Sequence, residues 1–327
     1  MRLTGMLATL LGTGLLLALT GCTDSIPEQV IATTSVGSSP SSIAVNPITQ
    51  RVYVTNTISA NMSVLDSTTN TALQTVGSLG DHPSTVAVDT THNRIYIYDD
   101  NRSLTMLDGA TLSILKSVTL IGPLAPSNKG GLAVIPSTNR VYITDNYNGA
   151  VKVLDATTLD VLKSVSVGGF PTAIAVNTTN NRIYVANASA NAFSVLDDTT
   201  QTVIKTVTVR SPSEQYDVAV NPITNRIYVT YNEGNSVYVF DGATNTVMTT
   251  LSVGAHPLGV AVNPATNRVY VANANDNTVS VIDGTTQTVT HTIKVGHSPC
   301  AVAVNSITGL VYVANKTDGT VSVLQGY

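Results

Sequence analysis

The chain is 327 residues long, carries a formal net charge of -4 and devotes only 11% of its residues to charged side chains. Nucleic-acid binders display a basic footprint, and none is present: six of the nine arginines fall in one repeated slot, Arg51, Arg94, Arg140, Arg182, Arg226 and Arg268. Two cysteines exclude a disulfide scaffold, so packing must supply the stability.

Residues 1–21 stand apart from the rest. Arg2 precedes a Leu-rich apolar run that ends in Leu19-Thr20-Gly21-Cys22, and the segment resembles a bacterial lipoprotein signal with its lipobox. The resemblance implies cleavage before Cys22 and a lipid on its thiol, with residues 22–28 as a short tether to the membrane. An uncleaved membrane anchor is the alternative, because the run is nearly long enough to span a bilayer.

Residues 29–327 are one repeat array. A tyrosine recurs at Tyr53, Tyr96, Tyr142, Tyr184, Tyr228, Tyr270 and Tyr312, at intervals of 42 to 46 residues, which is the period of blade-forming repeats. Residues 258–295 show one copy plainly: GVAVN, RVYVAN, TVSVID and TVTHTIKV are four strands rich in β-branched residues, separated by Asn, Pro, Asp, Gly and Thr turns. The first strand of each copy centres on an alanine, Ala44, Ala87, Ala133, Ala175, Ala219, Ala261 and Ala303, as crowding near an axis requires. VAV, VYV and VSVID are apolar at most positions, so both faces of each sheet are expected to be covered. The prediction is all-β: a seven-bladed β-propeller of four-stranded antiparallel blades.

The seventh copy stops at TVSVLQGY without an outer strand, whereas EQVIATTSVGSSP before the first copy aligns with QTVTHTIKVGHSP of the sixth. Residues 29–36 are therefore predicted to complete the last blade and close the ring. Asp66, Asp108, Asp155, Asp197, Asp241 and Asp283 each precede a small-residue and Thr turn, where a carboxylate can accept backbone N–H groups. Asn-Pro turns at Asn46, Asn221 and Asn263 are expected to link first and second strands, and Cys300 to be a small buried residue.

Tyr-Val-Thr-Asn at residues 53–56, with Tyr-Val-Ala-Asn at Tyr184, Tyr270 and Tyr312, resembles the YVTN family of β-propeller repeats. Copies two, three and five depart from the motif with Tyr-Ile-Tyr-Asp, Tyr-Ile-Thr-Asp and Tyr-Val-Thr-Tyr. The resemblance implies a cell-envelope or surface-layer protein and transfers no catalytic residue.

Function in such a ring is expected where copies differ, on the face that carries the loops before first strands and after second strands. Two groups fall there. His82, His256 and His297 lie at or beside the loop prolines and are candidate ligands for a transition metal; no other cofactor is indicated. Asp99, Asp100, Arg102, Asp145, Tyr147, Phe170, Tyr216, Asp217, Tyr231 and Glu233 are candidate ligand-binding residues at the channel mouth, since aromatics beside carboxylates suit a small polar ligand or a peptide. Asp217 takes a slot filled elsewhere by Ser42, Thr85, Gly131, Ala173, Gly259 and Ala301, and the insertion at residues 121–131 is expected to form a lip.

No nucleophile elbow, metal-ligand spacing or Gly-rich phosphate loop is present. The leading expectation is a non-catalytic, lipid-anchored module of the cell envelope, periplasmic or extracellular, that binds a protein, peptide or glycan. It is expected to be a monomer. A metal- or cofactor-dependent enzyme of lactonase, lyase or oxidoreductase type is the alternative, and a surface-layer or adhesive role is the third.

Overall fold

The computed structural model describes residues 29–120, 130–190, 192–209 and 215–326. The signal segment, Cys22, the tether and most of the expected lip, residues 121–129, lie outside the described residues.

Seven four-stranded antiparallel sheets form the ring. Blades 1 to 6 are contiguous, spanning residues 40–76, 83–119, 132–166, 171–208, 215–252 and 257–294. Blade 7 takes Pro299–Val304, Val311–Asn315 and Thr320–Leu324 and borrows Val30–Ser35 as its outer strand. The closure read from the sequence is thus observed. First strands of adjacent blades touch one another all round, which places them on the axis.

Burial follows position in the blade. Second and third strands such as Arg51–Asn56 and Asn61–Asp66 are buried at nearly every residue, whereas the outer strand Thr71–Val76 is exposed. Apolar runs without strict alternation therefore mark the two middle strands, which are covered on both faces by neighbouring blades.

Each recurrent tyrosine is wholly buried. Across the first pair of strands it faces the recurrent alanine, as in Ala44 with Tyr53 and Ala303 with Tyr312. The small residue leaves room for the ring, so the repeated Ala is half of a small-large pair as well as a sign of crowding. Several tyrosine hydroxyls reach the next blade: Tyr96 Oη donates to Ala156 O at 2.7 Å, Tyr142 Oη to Asp198 Oδ1, and Tyr312 Oη to Asn70 Oδ1 at 3.1 Å.

Turn chemistry matches the sequence reading. All six aspartates accept the backbone N–H three residues on, as Asp241 does from Thr244 at 3.0 Å. Those bonds hold every one of the six carboxyls below the usual carboxylate range. In blades 4, 5 and 6 the second carboxylate oxygen takes the arginine of the same blade, Arg182, Arg226 or Arg268. In blades 2 and 3 the arginine reaches onward instead, Arg94 to Thr157 and Arg140 to Asp198. Between first and second strands Asn46, Asn221 and Asn305 cap the turn, and their amides cross to the next blade, as Asn221 Nδ2 does to Asn267 Oδ1 at 2.8 Å. Cys300 is buried, its thiol donating to Pro40 O across the blade 7–blade 1 junction.

The seam copies a covalent blade in detail. Val30 pairs with Leu324 and Ser35 with Thr320, with a register shift between Val30 and Ala32; the corresponding shift in blade 1 falls between Val64 and Leu65. Val36 N donates to Gly319 O and Gln325 N to Gln29 O, and Thr34 Oγ1 donates to Asn70 O of blade 1. At about 1 kcal/mol net for each hydrogen bond, the seam contributes several kcal/mol.

Deleting residues 29–36 is expected to lower the melting temperature by about 10 °C or more and to broaden the transition. Tyr312→Phe, which removes only the hydroxyl contacts to Ser67 and Asn70, is expected to cost about 1 kcal/mol. Calorimetry of both variants checks this, and an unchanged transition in the deletion would show that the ring does not depend on its seam.

Candidate functional site

Antiparallel order puts all connections of one kind on one side of the ring. Loops preceding first strands and turns between second and third strands share one side, here the loop face; the remaining turns share the other, the turn face.

A cavity of about 120 Å³ opens on the axis, lined by first-strand residues from several blades, including Ser42, Thr85, Ala173, Asp217 and Ala301, and by Gly131 just before the first strand of blade 3. Size is enforced here. A Cβ at Gly131 would sit 2.8 Å from the Ala173 backbone, and one at Gly259 would sit 2.8 Å from Ala301 Cα. Asp217 is the charged member among these lining residues. Its Oδ1 accepts Val218 N at 2.9 Å and its Oδ2 accepts Val260 N of blade 6 at 3.2 Å, so the carboxylate ties two blades together at the channel wall. Tyr216 beside it packs, half-buried, against the cluster that holds Leu258, Ala274 and Cys300.

The other expected residues divide into two sets. Asp99, Asp145 and Tyr231 end their second strands and are buried, at 1%, 7% and 0% exposure. They occupy the slot of the YVTN asparagine, which is itself buried: in blades 1, 4, 6 and 7 the amide of Asn56, Asn187, Asn273 or Asn315 donates to Ser63, Ser194, Ser280 or Ser322 of the third strand. Blade 3 replaces that Asn–Ser pair with Asp145 and Lys152, 3.1 Å apart. Burial pushes the Asp145 carboxyl up, but Asn148 and Lys152 outweigh it and hold the group below its usual range. Blade 5 replaces the pair with Tyr231 and Tyr238, ring centroids 4.4 Å apart. Blade 2 uses Asp99, whose carboxylate accepts Asn101 N at 2.7 Å and His82 N at 2.6 Å. These three departures exchange one way of pinning a turn for another.

The second set is mixed, with Tyr147 and Glu233 exposed and Arg102 buried. Tyr147 is 55% exposed, and the Arg102 guanidinium lies 5.9 Å from its ring centroid. Arg102 is 8% exposed and held at φ 69°, and its Nη1 is buried with no hydrogen-bond partner among the described residues. Asp100 Oδ1 is likewise buried and unbonded. Burial, followed by its neighbour Asp99, pushes the Asp100 carboxyl above its usual range against the pull of Ser84 and His82. Burial also pushes the Tyr98 phenol, close to Arg102, up to about 12. Phe170 is half-buried at the loop before blade 4, and Glu233 is exposed in the blade 5 turn.

The histidines are not brought together. His82 is anchored through its backbone to Asp99, His256 N donates to Asn235 Oδ1, and His297 Nδ1 pairs with Asp318 at 2.8 Å. Among the described residues no group of three or more His, Cys, Asp or Glu side chains is placed to hold a metal ion.

No family model and no curated protein sequence matches the chain. Among solved structures it is similar to a Kuenenia stuttgartiensis hydrazine synthase chain, with a TM-score of 0.79 at 15% identity, over 88% of this chain and 95% of that one. The likeness shows the propeller fold alone. The resemblance to YVTN repeats rests on the quoted tetrapeptides, and the β-propeller is a fold that hosts unrelated functions.

Two substitutions test this account of the face. Lys152→Ser removes the cation from a buried carboxylate, leaving Asp145 with Asn148, and is expected to cost about 2 kcal/mol, while adding Asp145→Asn should recover most of that by rebuilding the Asn–Ser pair; denaturant unfolding of single and double variants decides. Asp100→Asn is expected to raise stability at pH 7. The folded pKa is above the unfolded one, so ionisation costs stability, the cost is complete above the folded pKa and absent below the unfolded value; the gain should therefore fade as pH drops towards about 4, seen in melting temperature against pH.

Proposed function

We propose that the chain is a lipid-anchored, non-catalytic envelope propeller that binds a peptide, protein or glycan partner through its loop face. The observation that carries the reading is the Arg102–Tyr147 pair. A guanidinium nitrogen is buried without an acceptor among the described residues, beside a ring that is half in solvent. Leaving a buried charged donor unbonded is costly, and the cost is recovered when a ligand supplies a carbonyl, hydroxyl or carboxylate oxygen and stacks on the tyrosine.

Other features agree. Most of the recurrent side chains are occupied in caps, interblade bonds and packing, whereas Tyr147 and Glu233 are exposed side chains at the loop-face turns of blades 3 and 5. Asp217 adds a fixed negative charge at the channel wall, so a partner reaching the axis meets an acceptor there. The lipobox-like Leu19-Thr20-Gly21-Cys22 supports anchorage in the envelope through Cys22.

Photo-crosslinking in intact cells tests the reading. A benzophenone side chain in place of Tyr147 or Phe170 in the native chain should give a discrete adduct, and one in place of Leu115 on an outer strand should not. Arg102→Ala should weaken the captured complex about tenfold, equivalent to about 1.4 kcal/mol. Equal adducts at all three positions, or none, would overturn it.

A further inference from the structure

The turn face carries an apolar arc for which the fold has no use. At the third residue of the turn between first and second strands stand Ile48 in blade 1, Ile223 in blade 5, Ala265 in blade 6 and Ile307 in blade 7. Blades 2, 3 and 4 carry Thr91, Ser137 and Thr179 there. At this position the arc 5-6-7-1 is therefore apolar and the arc 2-3-4 polar, while the aspartates and arginines of the turn face lie in neighbouring positions. The isoleucines are 67%, 71% and 66% exposed. Each turn needs only the backbone at this position: Ile48 N, Ile223 N and Ile307 N donate to Asn46 Oδ1, Asn221 Oδ1 and Asn305 Oδ1. The polar residues of blades 2 and 4 serve equally well, Thr91 N and Thr179 N making the same bond. Nothing in the ring rewards an isoleucine at these tips.

The chain enters the ring on the same side. Val30 pairs with Leu324, and Gln29 O accepts Gln325 N, so Gln29 lies at the turn-face end of blade 7, inside the apolar arc. Only the stretch 22–28 separates Cys22 from this point, a reach of about 25 Å when fully extended. An anchored ring would keep its turn face within that distance of the bilayer.

We propose that the turn face lies against the membrane surface, with Ile48, Ile223 and Ile307 entering the interface and the loop face directed away from it. The inference rests on the lipid-anchor part of the reading above. Three isoleucines on one rim are suited to reinforcing an anchor, since buried apolar area adds to the affinity that the lipid supplies. The orientation also leaves Arg102, Tyr147 and the axial cavity open to partners on the far side.

The test uses the full chain isolated from the envelope and placed on vesicles of phosphatidylethanolamine and phosphatidylglycerol. An environment-sensitive fluorophore is attached in turn through Ile48→Cys, Ile223→Cys and Ile307→Cys, with Thr91→Cys and Thr179→Cys as turn-face controls. Ile58→Cys is the loop-face control, that isoleucine being 75% exposed. Quenching by brominated lipid is expected to be about threefold stronger at the three isoleucine sites than at Thr91 and Thr179, and absent at Ile58. Flotation is read in parallel. A chain that floats with the vesicles yet shows no quenching at the isoleucine sites would overturn the docking and leave the anchor standing. A chain that does not float would overturn the anchor, and the docking with it. A fluorescence change that follows protein concentration in the absence of vesicles would assign the arc to a second copy of the chain and overturn the membrane as its occupant.

Discussion

The contact between neighbouring blades is the constraint from which the rest of the molecule follows. A four-stranded sheet of this composition leaves two apolar faces, and only another blade on each side keeps both from water. The recurrent tyrosine is where that contact is made specific. Its ring lies opposite an alanine in its own blade, and at the 2–3, 3–4 and 7–1 junctions its hydroxyl binds an outer turn of the next blade. Ring geometry then requires every blade to have the same thickness and pitch, which is why the tyrosines keep a nearly constant interval in the chain. Blade 3 to blade 4 shows how far the contact can be altered. There Asp198, buried at 1% exposure, takes both the Tyr142 hydroxyl and Arg140, so a charge pair does the work of a backbone carbonyl elsewhere.

Much of the fold was legible in the sequence because repetition turns weak local signals into a strong one. Seven tyrosines, seven alanines and six capping aspartates each point to the same four-strand unit, and the missing outer strand of the last copy pointed to its replacement at residues 29–36. The loop-face residues were legible only in part. Asp99, Asp145 and Tyr231 stood out as departures from a motif, and departures invite a functional reading; in the structure they are interior props. Side-chain direction is the reason. In strands apolar on both faces, alternation no longer tells which residues point inward. A signal was nevertheless present: Asn and Ser seven residues apart in blades 1, 4, 6 and 7 become Asp145 and Lys152 in blade 3 and Tyr231 and Tyr238 in blade 5, a paired change that betrays contact. The unbonded Arg102 nitrogen left no such trace, since it arises from burial around a single side chain.

The two faces of the ring differ in kind. On the turn face most of the repeat recurs, with aspartates capped in six blades and an arginine in the same slot of six; blade 3 has Ile135 and a short 3-10 turn where other blades have a capping Asn or Asp, and blade 7 has Leu310 in the arginine slot. On the loop face connections vary in length, and blade 2, whose second turn is one residue shorter than that of blade 1, carries the strained Arg102. A rigid side and a variable side on one body is the arrangement of a scaffold that holds fixed geometry in one direction and presents changing chemistry in the other.

The borrowed outer strand of blade 7 also sets the order of assembly. Blades 1 to 6 are each built from one contiguous stretch, but Val30 has no partner until Leu324 exists. The earliest strand to be made is therefore the last to be paired, and throughout synthesis it remains a β-prone segment with an empty edge, the kind of element that invites wrong partners. Its polar content, with Thr33, Thr34 and Ser35 in its second half, keeps that waiting strand tolerable in water. The ring thus gains a single cooperative closure at the cost of a slow, long-range final step.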